Sequence, residues 1–188
     1  MSKGYVIVAM QEDYVKQACL LAKSIKQTQT INNISIVTSD KVPDEHKNLF
    51  DKIIEIPWHE DSNSFYITEH RWKVFHLTPY EETVVLDTDM LFLTDISHWW
   101  KYFAKNDVGF ITNVLDYRSN LITSDFYRKT FTANDLPNIY VAFHYFKKSQ
   151  KALDYYKLLN MICDNWEKFY KKYVPNLPPD MSSMDLNH

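Results

Sequence analysis

The chain has 188 residues and a formal net charge of −3, and 45% of its residues are hydrophobic. This composition supports a folded domain with its own core and excludes disordered and fibrous architectures. Nucleic acid is not an expected partner, because the chain lacks the basic surface that phosphate-backbone binding requires. Its two cysteines, Cys19 and Cys163, are too few for a disulfide scaffold or a zinc cage, which favours a reducing compartment.

Glycine is scarce, with 2 residues against 13 tyrosines and 11 phenylalanines. Gly-rich phosphate loops need several glycines within one turn, so Gly4 and Gly109 cannot form one. A nucleotide, if bound, must therefore be held by another kind of loop. The opening apolar run, residues 5–10, is shorter than a signal-peptide core or a membrane span, so we expect a cytoplasmic protein without a transmembrane segment.

Strands and helices are predicted to alternate from the start of the chain. Residues 5–10 form a near-continuous apolar run, typical of a strand buried on both faces, and apolar residues then recur at helical spacing from Tyr14 to Ile25. Further strands are predicted at residues 34–38, 52–56, 83–86, 108–111 and 140–146, and helices at residues 44–50, 67–77 and 95–103 and from Ser149 onward. The pattern indicates one α/β domain over residues 1–188, with a doubly wound, mostly parallel sheet and flanking helices.

The last helix is predicted to be the longest, with Ser149 as its N-cap. Its apolar residues repeat at steps of three and four, which indicates a core-facing seam rather than a ligand site. The seam consists of Ala152, Tyr156, Leu159, Cys163, Trp166, Tyr170 and Tyr173. The polar, irregular span of residues 113–137 suits a substrate-facing loop.

The fourth predicted strand runs directly into Asp87-Thr88-Asp89, so two acids interrupt a segment that otherwise reads as buried through Leu93. Side chains alternate along an extended chain, so Asp87 and Asp89 are expected to share a face at the carboxyl end of the strand. Two close carboxylates repel unless a cation lies between them, and their hard oxygens suit Mg²⁺, Mn²⁺ or Ca²⁺. Mg²⁺ or Mn²⁺ favours a bound diphosphate, because proteins usually hold these ions together with substrate phosphates. The alternative is that Asp89 or Asp95 only caps a turn or helix.

The order and spacing of several blocks resemble the GT-A glycosyltransferases, and most closely glycosyltransferase family 8, the glycogenin-like group. The likeness covers about residues 4 to 104. Its blocks are the first strand ending near Asp13-Tyr14, the helix with Ala18 and Leu21, Arg71-Trp72-Lys73 through Leu77-Thr78-Pro79-Tyr80, Val85-Leu86-Asp87-Thr88-Asp89-Met90-Leu91, and Asp95-Ile96. The resemblance implies a GT-A-like fold and a metal-dependent, hexosyltransferase-like enzyme. Such an enzyme moves a sugar from a nucleotide-diphosphate donor, usually a UDP-sugar, to an acceptor that stays open between glycan, protein and small molecule. It also favours retention of the anomeric configuration.

The resemblance also implies where the nucleotide binds. It places the nucleotide at the end of the first strand, at Ala9, Met10 and Gln11, with Tyr14 stacking on the base. Tyr14 lies on the apolar stripe of its helix, so a core role is the alternative. Arg71 matches a basic residue that contacts the sugar nucleotide, and a solvated surface arginine is the alternative there.

The same likeness implies a cofactor and a catalytic group. Asp87-Thr88-Asp89 matches the element that binds metal and ribose, so Mn²⁺ or Mg²⁺ held by Asp87 and Asp89 is the implied cofactor. The later acidic element of the family, with an implied catalytic role, corresponds to Asp185 or, with a looser match, to Asp180.

The sequence departs from the family in two places. Where the family has Asn-Ser-Gly, this chain has Asn138-Ile139-Tyr140-Val141-Ala142, so acceptor binding must differ. The downstream histidine metal ligand has no counterpart, because His188 lacks its sequence context. From these departures we expect an incomplete catalytic unit that binds nucleotide weakly and transfers sugar slowly.

Two other functions compete with sugar transfer. One is a nucleotide-sugar-binding domain without catalysis. The other is a phosphohydrolase of the haloacid dehalogenase type, in which the first Asp of an Asp-x-Asp motif is the nucleophile. That motif normally lies on the first strand and has Thr or Val where this chain has Leu91, so it fits less well.

Overall fold

The computed structural model describes residues 2–57, 71–122 and 133–173. The strands are β1 (Lys3–Val8), β2 (Ile34–Thr38), β3 (Lys52–Glu55), β4 (Glu82–Leu86), β5 (Val108–Thr112) and β6 (Ile139–Lys147). The helices are α1 (Glu12–Thr28), α2 (Val74–Leu77), α3 (Trp100–Phe103), α4 (Gln150–Asp164) and α5 (Trp166–Tyr173), with 3₁₀ turns at Asp44–Leu49, Arg71–Lys73 and Ser97–Trp99. Each strand predicted from the sequence is present. Across the described ranges, no helix is both long and apolar enough to cross a membrane.

The described strands form a six-stranded sheet in the order β3-β2-β1-β4-β6-β5. β1 pairs in parallel with β2 and with β4, and β2 pairs in parallel with β3. β6 is antiparallel to both β4 and β5, so it alone runs in the opposite direction. The predicted α/β class with a mostly parallel sheet is confirmed. The carboxyl ends of β1, β2, β4 and β5 consequently lie at one edge of the sheet.

Helices cover both faces of this sheet, which is why its central strands read as continuous apolar runs. In β1, Tyr5 and Ile7 pack into one cluster together with Leu21 of α1 and Trp100 of α3. Val6 points the other way, into a second cluster. That cluster also contains Val85, Phe75, Phe146, Ala152 and Tyr156. Burial on both faces fixes the register of β1 and therefore the position of the loop that follows it.

The predicted long C-terminal helix is two helices. Ser149 caps α4 as predicted, since its hydroxyl oxygen accepts a hydrogen bond from the backbone N–H of Ala152 at 3.2 Å. Asn165 then leaves the helical region (φ −132, ψ 24), and its side-chain amide donates to the Met161 carbonyl at 3.1 Å. Asparagine competes in this way for helix backbone groups and ends helices. The prediction of the longest helix was wrong, because α1 has 17 residues and α4 has 15.

Among the side chains that the structure describes, the predicted core-facing seam is present in α4 and not at Tyr173 of α5. Ala152 and Tyr156 are buried, and Leu159 packs against the same cluster. Tyr173 on α5 is 57% exposed, so its assignment to the core was wrong. The break at Asn165 ends the helical repeat on which the prediction of Tyr173 depended. The side chains of Trp166 and Tyr170 lie outside the described residues.

The segment that follows Asp89 is not a buried continuation of the strand, as the sequence indicated. Leu91 and Leu93 are 62% and 88% exposed, and Phe92 between them is buried. The chain leaves the sheet after β4 and runs along α1, where the Phe92 backbone N–H donates to the Ser24 hydroxyl at 3.0 Å. Only one side of this segment meets the core, so Phe92 is buried and Met90 packs against the same cluster, while both leucines are exposed.

Asp95 closes this segment in the capping role that the sequence allowed. Its Oδ1 accepts the Ser97 backbone N–H at 2.7 Å, and its Oδ2 accepts the Thr30 hydroxyl at 2.8 Å. The hydrogen bonds from Ser97, and then the bond from Thr30, lower the pKa of Asp95 to about 2 from an ordinary 3.8.

This depressed pKa predicts a defined acid sensitivity. Because the folded-state pKa lies below the unfolded one, the contribution of Asp95 to stability is full above the ordinary pKa of 3.8 and is lost as the pH falls through about 2. We expect Asp95→Asn to show a shallower loss of unfolding free energy than the parent over this range. Urea unfolding at a series of acidic pH values measures it. Parallel pH profiles for the two proteins would contradict the assignment.

Candidate functional site

Two of the predicted segments, residues 9–14 and 87–89, follow neighbouring strands at the point where the strand order of the sheet reverses direction. The chain builds β1, β2 and β3 outward on one side and then places β4 on the other side of β1. In the pairing of β1 with β4, Ile7 lies opposite Leu86, so the residues that follow both strands emerge side by side. In open α/β sheets, ligands bind in the crevice at such a switch point, outside the carboxyl ends of the strands.

Ala9 and Met10 leave β1 with their side chains buried, at 0% and 6% exposure. The Ala9 backbone N–H donates to the Val37 carbonyl at 2.9 Å, which extends the contact between β1 and β2. These two side chains therefore belong to the core, and a ligand would meet their backbone. Gln11 and Tyr14, the other two predicted nucleotide contacts on this loop, are exposed.

Tyr14 lies in the first turn of α1 and is 40% exposed. The helix buries a different set of residues: Val15, Ala18, Cys19, Leu21, Ala22 and Ile25. The core role that the apolar stripe left open for Tyr14 is therefore wrong. An exposed aromatic ring beside the crevice is available for stacking.

Gln11 joins β1 to α1 in an unusual backbone conformation, with φ 80 and ψ 146. A side chain with a Cβ atom rarely adopts this region, and such a residue typically costs about 1–3 kcal/mol. The Gln11 backbone N–H donates to Oδ2 of Asp40 at 2.8 Å, and its carbonyl accepts from Val15 at 3.1 Å, which starts α1. The strained residue is thus held from both sides.

The acidic motif is a turn rather than part of the strand. β4 ends at Leu86, and the Asp87 backbone N–H donates to the Ala142 carbonyl of β6 at 2.9 Å. Thr88 is buried, and its hydroxyl donates to Oε1 of Gln17 on α1 at 3.0 Å. Asp87 is half-buried and Asp89 is exposed, so the threonine anchors the turn while both acids lie nearer the surface. The strand alternation used in the sequence prediction therefore stops at Leu86.

The donor set of this turn fits a hard divalent cation that is shared with a ligand. Asp87 and Asp89 offer carboxylate oxygens, which Mg²⁺ and Mn²⁺ prefer. In the described ranges, no group of three or more His, Cys, Asp or Glu side chains forms a metal cage. A closed structural site of the zinc type is therefore not formed by these residues. A cation held by two carboxylates takes its remaining ligands from water and phosphate oxygens.

The other predicted site residues are only partly described. Arg71 begins the 3₁₀ turn before α2, but its side chain lies outside the described residues. Asp180, Asp185 and His188 also lie outside them, so the catalytic role of Asp185 stays a prediction. The segment starting at Asn138 leads into β6 and abuts the acidic turn through the Ala142 carbonyl.

Two residues of this region were missed by the sequence interpretation: Asp40, which bonds Gln11, and Gln17, which bonds Thr88. Asp40 follows β2, whose carboxyl end lies beside that of β1. Inspecting the first polar residues after every predicted parallel strand could have found it. Gln17 carries no such signal, because only the packing of α1 on the sheet brings it to Thr88.

The architecture is shared with solved glycosyltransferase structures. Mouse xyloside xylosyltransferase 1 matches with a TM-score of 0.59 at 14% identity, covering 92% of this chain and 76% of that one. The galactosyltransferase LgtC, solved with donor and acceptor sugar analogs, matches with a TM-score of 0.57 at 14% identity over 97% of this chain and 68% of that one. GlyE, a glycosyltransferase of Streptococcus pneumoniae, matches with a TM-score of 0.57 at 11% identity.

These matches confirm the predicted GT-A-like fold. At such low identities they do not establish the activity or the substrates of this chain. The match to GlyE includes 94% of this chain but only 40% of the length of GlyE. No protein-family model and no curated protein sequence matches the chain. The closer likeness to family 8 stays a prediction from the sequence.

Proposed function

We propose that this protein is a glycosyltransferase that binds a nucleotide-diphosphate sugar across the carboxyl ends of β1 and β4. The observation that carries the proposal is that the start of α1, Gln11–Tyr14, and the Asp87–Asp89 turn follow neighbouring strands at the switch point of the sheet. The shared fold of known glycosyltransferases supports it. UDP is the proposed nucleotide, and Mn²⁺ or Mg²⁺ is the proposed cofactor.

The charges around the crevice favour one orientation of the donor. The first turn of α1 carries Glu12 and Asp13, both paired with Lys16 at 2.8 and 3.3 Å. These acids oppose a phosphate at the helix N-terminus, where many other nucleotide-binding proteins place it. The uncharged base therefore fits the α1 side, next to Tyr14. The diphosphate fits the β4 side, where Asp87 and Asp89 would hold its cation.

Each side of the crevice then has its own task in sugar transfer. The Tyr14 ring orients the base, and the turn anchored by Thr88 fixes where the diphosphate lies. Asp87 and Asp89 would hold a divalent cation, which would stabilise the negative charge that grows on the departing diphosphate. Transfer breaks the bond between the anomeric carbon and the phosphate oxygen and forms one to an acceptor hydroxyl oxygen, whose proton is taken up by the departing diphosphate. Asp185 stays the proposed catalytic carboxylate, and the acceptor is a glycan, a protein or a small molecule.

Tyr14→Ala tests the base side of the crevice. Stacking on an aromatic side chain is typically worth roughly 1–3 kcal/mol per base, so we expect UDP binding to weaken by about tenfold or more. Stability should change little, because the ring is 40% exposed. Calorimetry with UDP and thermal unfolding measure the two effects. A large fall in the melting temperature with unchanged UDP affinity would show that Tyr14 stabilises the fold and does not bind the base.

A mass-spectrometric screen of nucleotide sugars with Mn²⁺ tests the function itself. The proposal predicts release or transfer of the sugar together with formation of the nucleoside diphosphate. Donor binding without any turnover would instead support a nucleotide-sugar-binding domain. Phosphate release from phosphomonoesters, without action on nucleotide sugars, would support a phosphohydrolase and overturn the proposal.

A further inference from the structure

We propose that Asp40 is a positioning residue of the nucleotide site, which sets the shape of the base pocket by holding Gln11. The inference rests on the proposed function and assigns a role to a residue outside the predicted site. Asp40 acts through the loop that joins β1 to α1, since its carboxylate accepts the hydrogen bond of the Gln11 backbone N–H at 2.8 Å.

Asp40 is itself fixed to the end of a central strand. Its backbone N–H donates to the hydroxyl of Thr38, the buried last residue of β2, at 3.0 Å. The Ser39 hydroxyl donates to the same carboxylate oxygen that accepts from Gln11, at 3.1 Å. Because β2 pairs in parallel with β1, this carboxylate stands beside the end of β1 on a rigid support.

Gln11 needs such a support. It is the N-cap residue of α1, yet its side chain makes no capping hydrogen bond to the first turn. Its positive φ is unfavourable for any residue with a Cβ atom, so other backbone conformations compete with it. The charge-assisted hydrogen bond that the Gln11 N–H donates to Asp40 selects the observed conformation, because the N–H must face the β2 side to reach the carboxylate.

The conformation of Gln11 decides where the nucleotide contacts lie. The Gln11 carbonyl accepts the first helical hydrogen bond of α1, from the Val15 N–H, and Tyr14 lies three residues after Gln11 in the first helical turn. A different backbone conformation at Gln11 would redirect both its own side chain and the ring of Tyr14. The Asp87–Asp89 turn is held by Ala142 of β6 and by Gln17, which lies in the part of α1 that its buried residues fix against the sheet, so the turn should stay in place. Loss of Asp40 should therefore harm the base side of the crevice and spare the diphosphate side.

This separation gives the test. Calorimetry in the presence of Mn²⁺ compares UDP, which has a base, with inorganic pyrophosphate, which has none. We expect Asp40→Ala to bind UDP about tenfold more weakly, the effect of one lost contact to a base, and to bind pyrophosphate as the parent does. Asp40→Asn should restore most of the UDP affinity, because its amide oxygen can accept the same N–H. Asp44→Ala is the matched control, since Asp44 pairs with Lys47 in the neighbouring 3₁₀ turn.

Several outcomes would overturn the inference. Unchanged UDP affinity in Asp40→Ala, with or without a lower melting temperature, would make Asp40 purely structural. Equal losses of UDP and pyrophosphate would show general disruption of the crevice. Should Asp40→Ala not fold, Asp40→Glu is measured instead: it keeps the charge but lengthens the side chain by one methylene group, which misplaces the carboxylate relative to the Gln11 N–H, and the same selective loss of UDP is expected. Failure of the parent protein to bind UDP would instead refute the proposed function, and this inference with it.

Discussion

Asp87→Asn and Asp89→Asn are each expected to abolish Mn²⁺-dependent binding of UDP while the protein stays folded. Each substitution removes one negative charge that faces a dication and keeps the shape of the side chain. The expected loss of affinity is at least about 100-fold. Replacing a residue that only hydrogen-bonds to a metal ligand already lowers metal affinity by up to about that factor, and Asp87 and Asp89 are the proposed ligands themselves. The fold should persist, because β4 ends before both residues and Asp89 is exposed.

Isothermal calorimetry with UDP and Mn²⁺ measures this effect. Asp164→Asn is the control, because it removes one exposed carboxylate at the end of α4 and so matches the change in net charge. If both motif variants bind UDP as the parent does, the acidic pair is structural and the proposed donor site is wrong.

Trp100→Ala is expected to cause a large loss of stability. Trp100 is 2% exposed and packs edge-on against Tyr5 and Tyr145, with ring centroids 5.6 and 6.1 Å away. Its indole N–H also donates to the Tyr5 hydroxyl at 3.4 Å. Truncation would leave a cavity against β1 and β6, and the free energy of unfolding should fall by about 3–5 kcal/mol. Urea unfolding measures this difference.

Tyr102→Ala on the same helix is the control for Trp100. Tyr102 is 51% exposed and contacts the side chains of Lys101 and Lys105 across its ring. Its truncation should change the free energy of unfolding by no more than about 0.5 kcal/mol. Similar losses for both variants would contradict the assignment of Trp100 to the core.

Much of the sheet could be predicted from the sequence, because burial on both faces leaves a strong pattern. The apolar run around β1 and the capping serine of α4 are local signals, and both are confirmed. The reversed direction of β6 could not be predicted, since an apolar run is the same in either direction. The exposure of Leu91 and Leu93 follows from how the chain crosses α1, which periodicity does not contain.

The candidate site divides in the same way. Asp87 and Asp89 could be found because they directly follow an apolar strand, so their position at the sheet edge is a local property. The contact of Asp40 with Gln11 could not be found in this way, because Asp40 is 29 residues from Gln11 in the sequence and only the pairing of β1 with β2 brings the two together. The break in the last helix at Asn165 was readable in principle, because asparagine is a weak helix former, but the apolar repeat on both sides outweighed it.

The most direct test of the account is to locate bound Mn²⁺–UDP on the protein by NMR. Titration of ¹⁵N-labelled protein should broaden the backbone amides of residues 9–14 and 87–90, because paramagnetic Mn²⁺ would lie between these two segments. The amides of Lys3 and Glu82, at the opposite ends of β1 and β4, should stay sharp. Mg²⁺–UDP should shift the first set without broadening it. Broadening centred on another surface, or none at all with UDP present, would contradict a donor site at the carboxyl ends of β1 and β4.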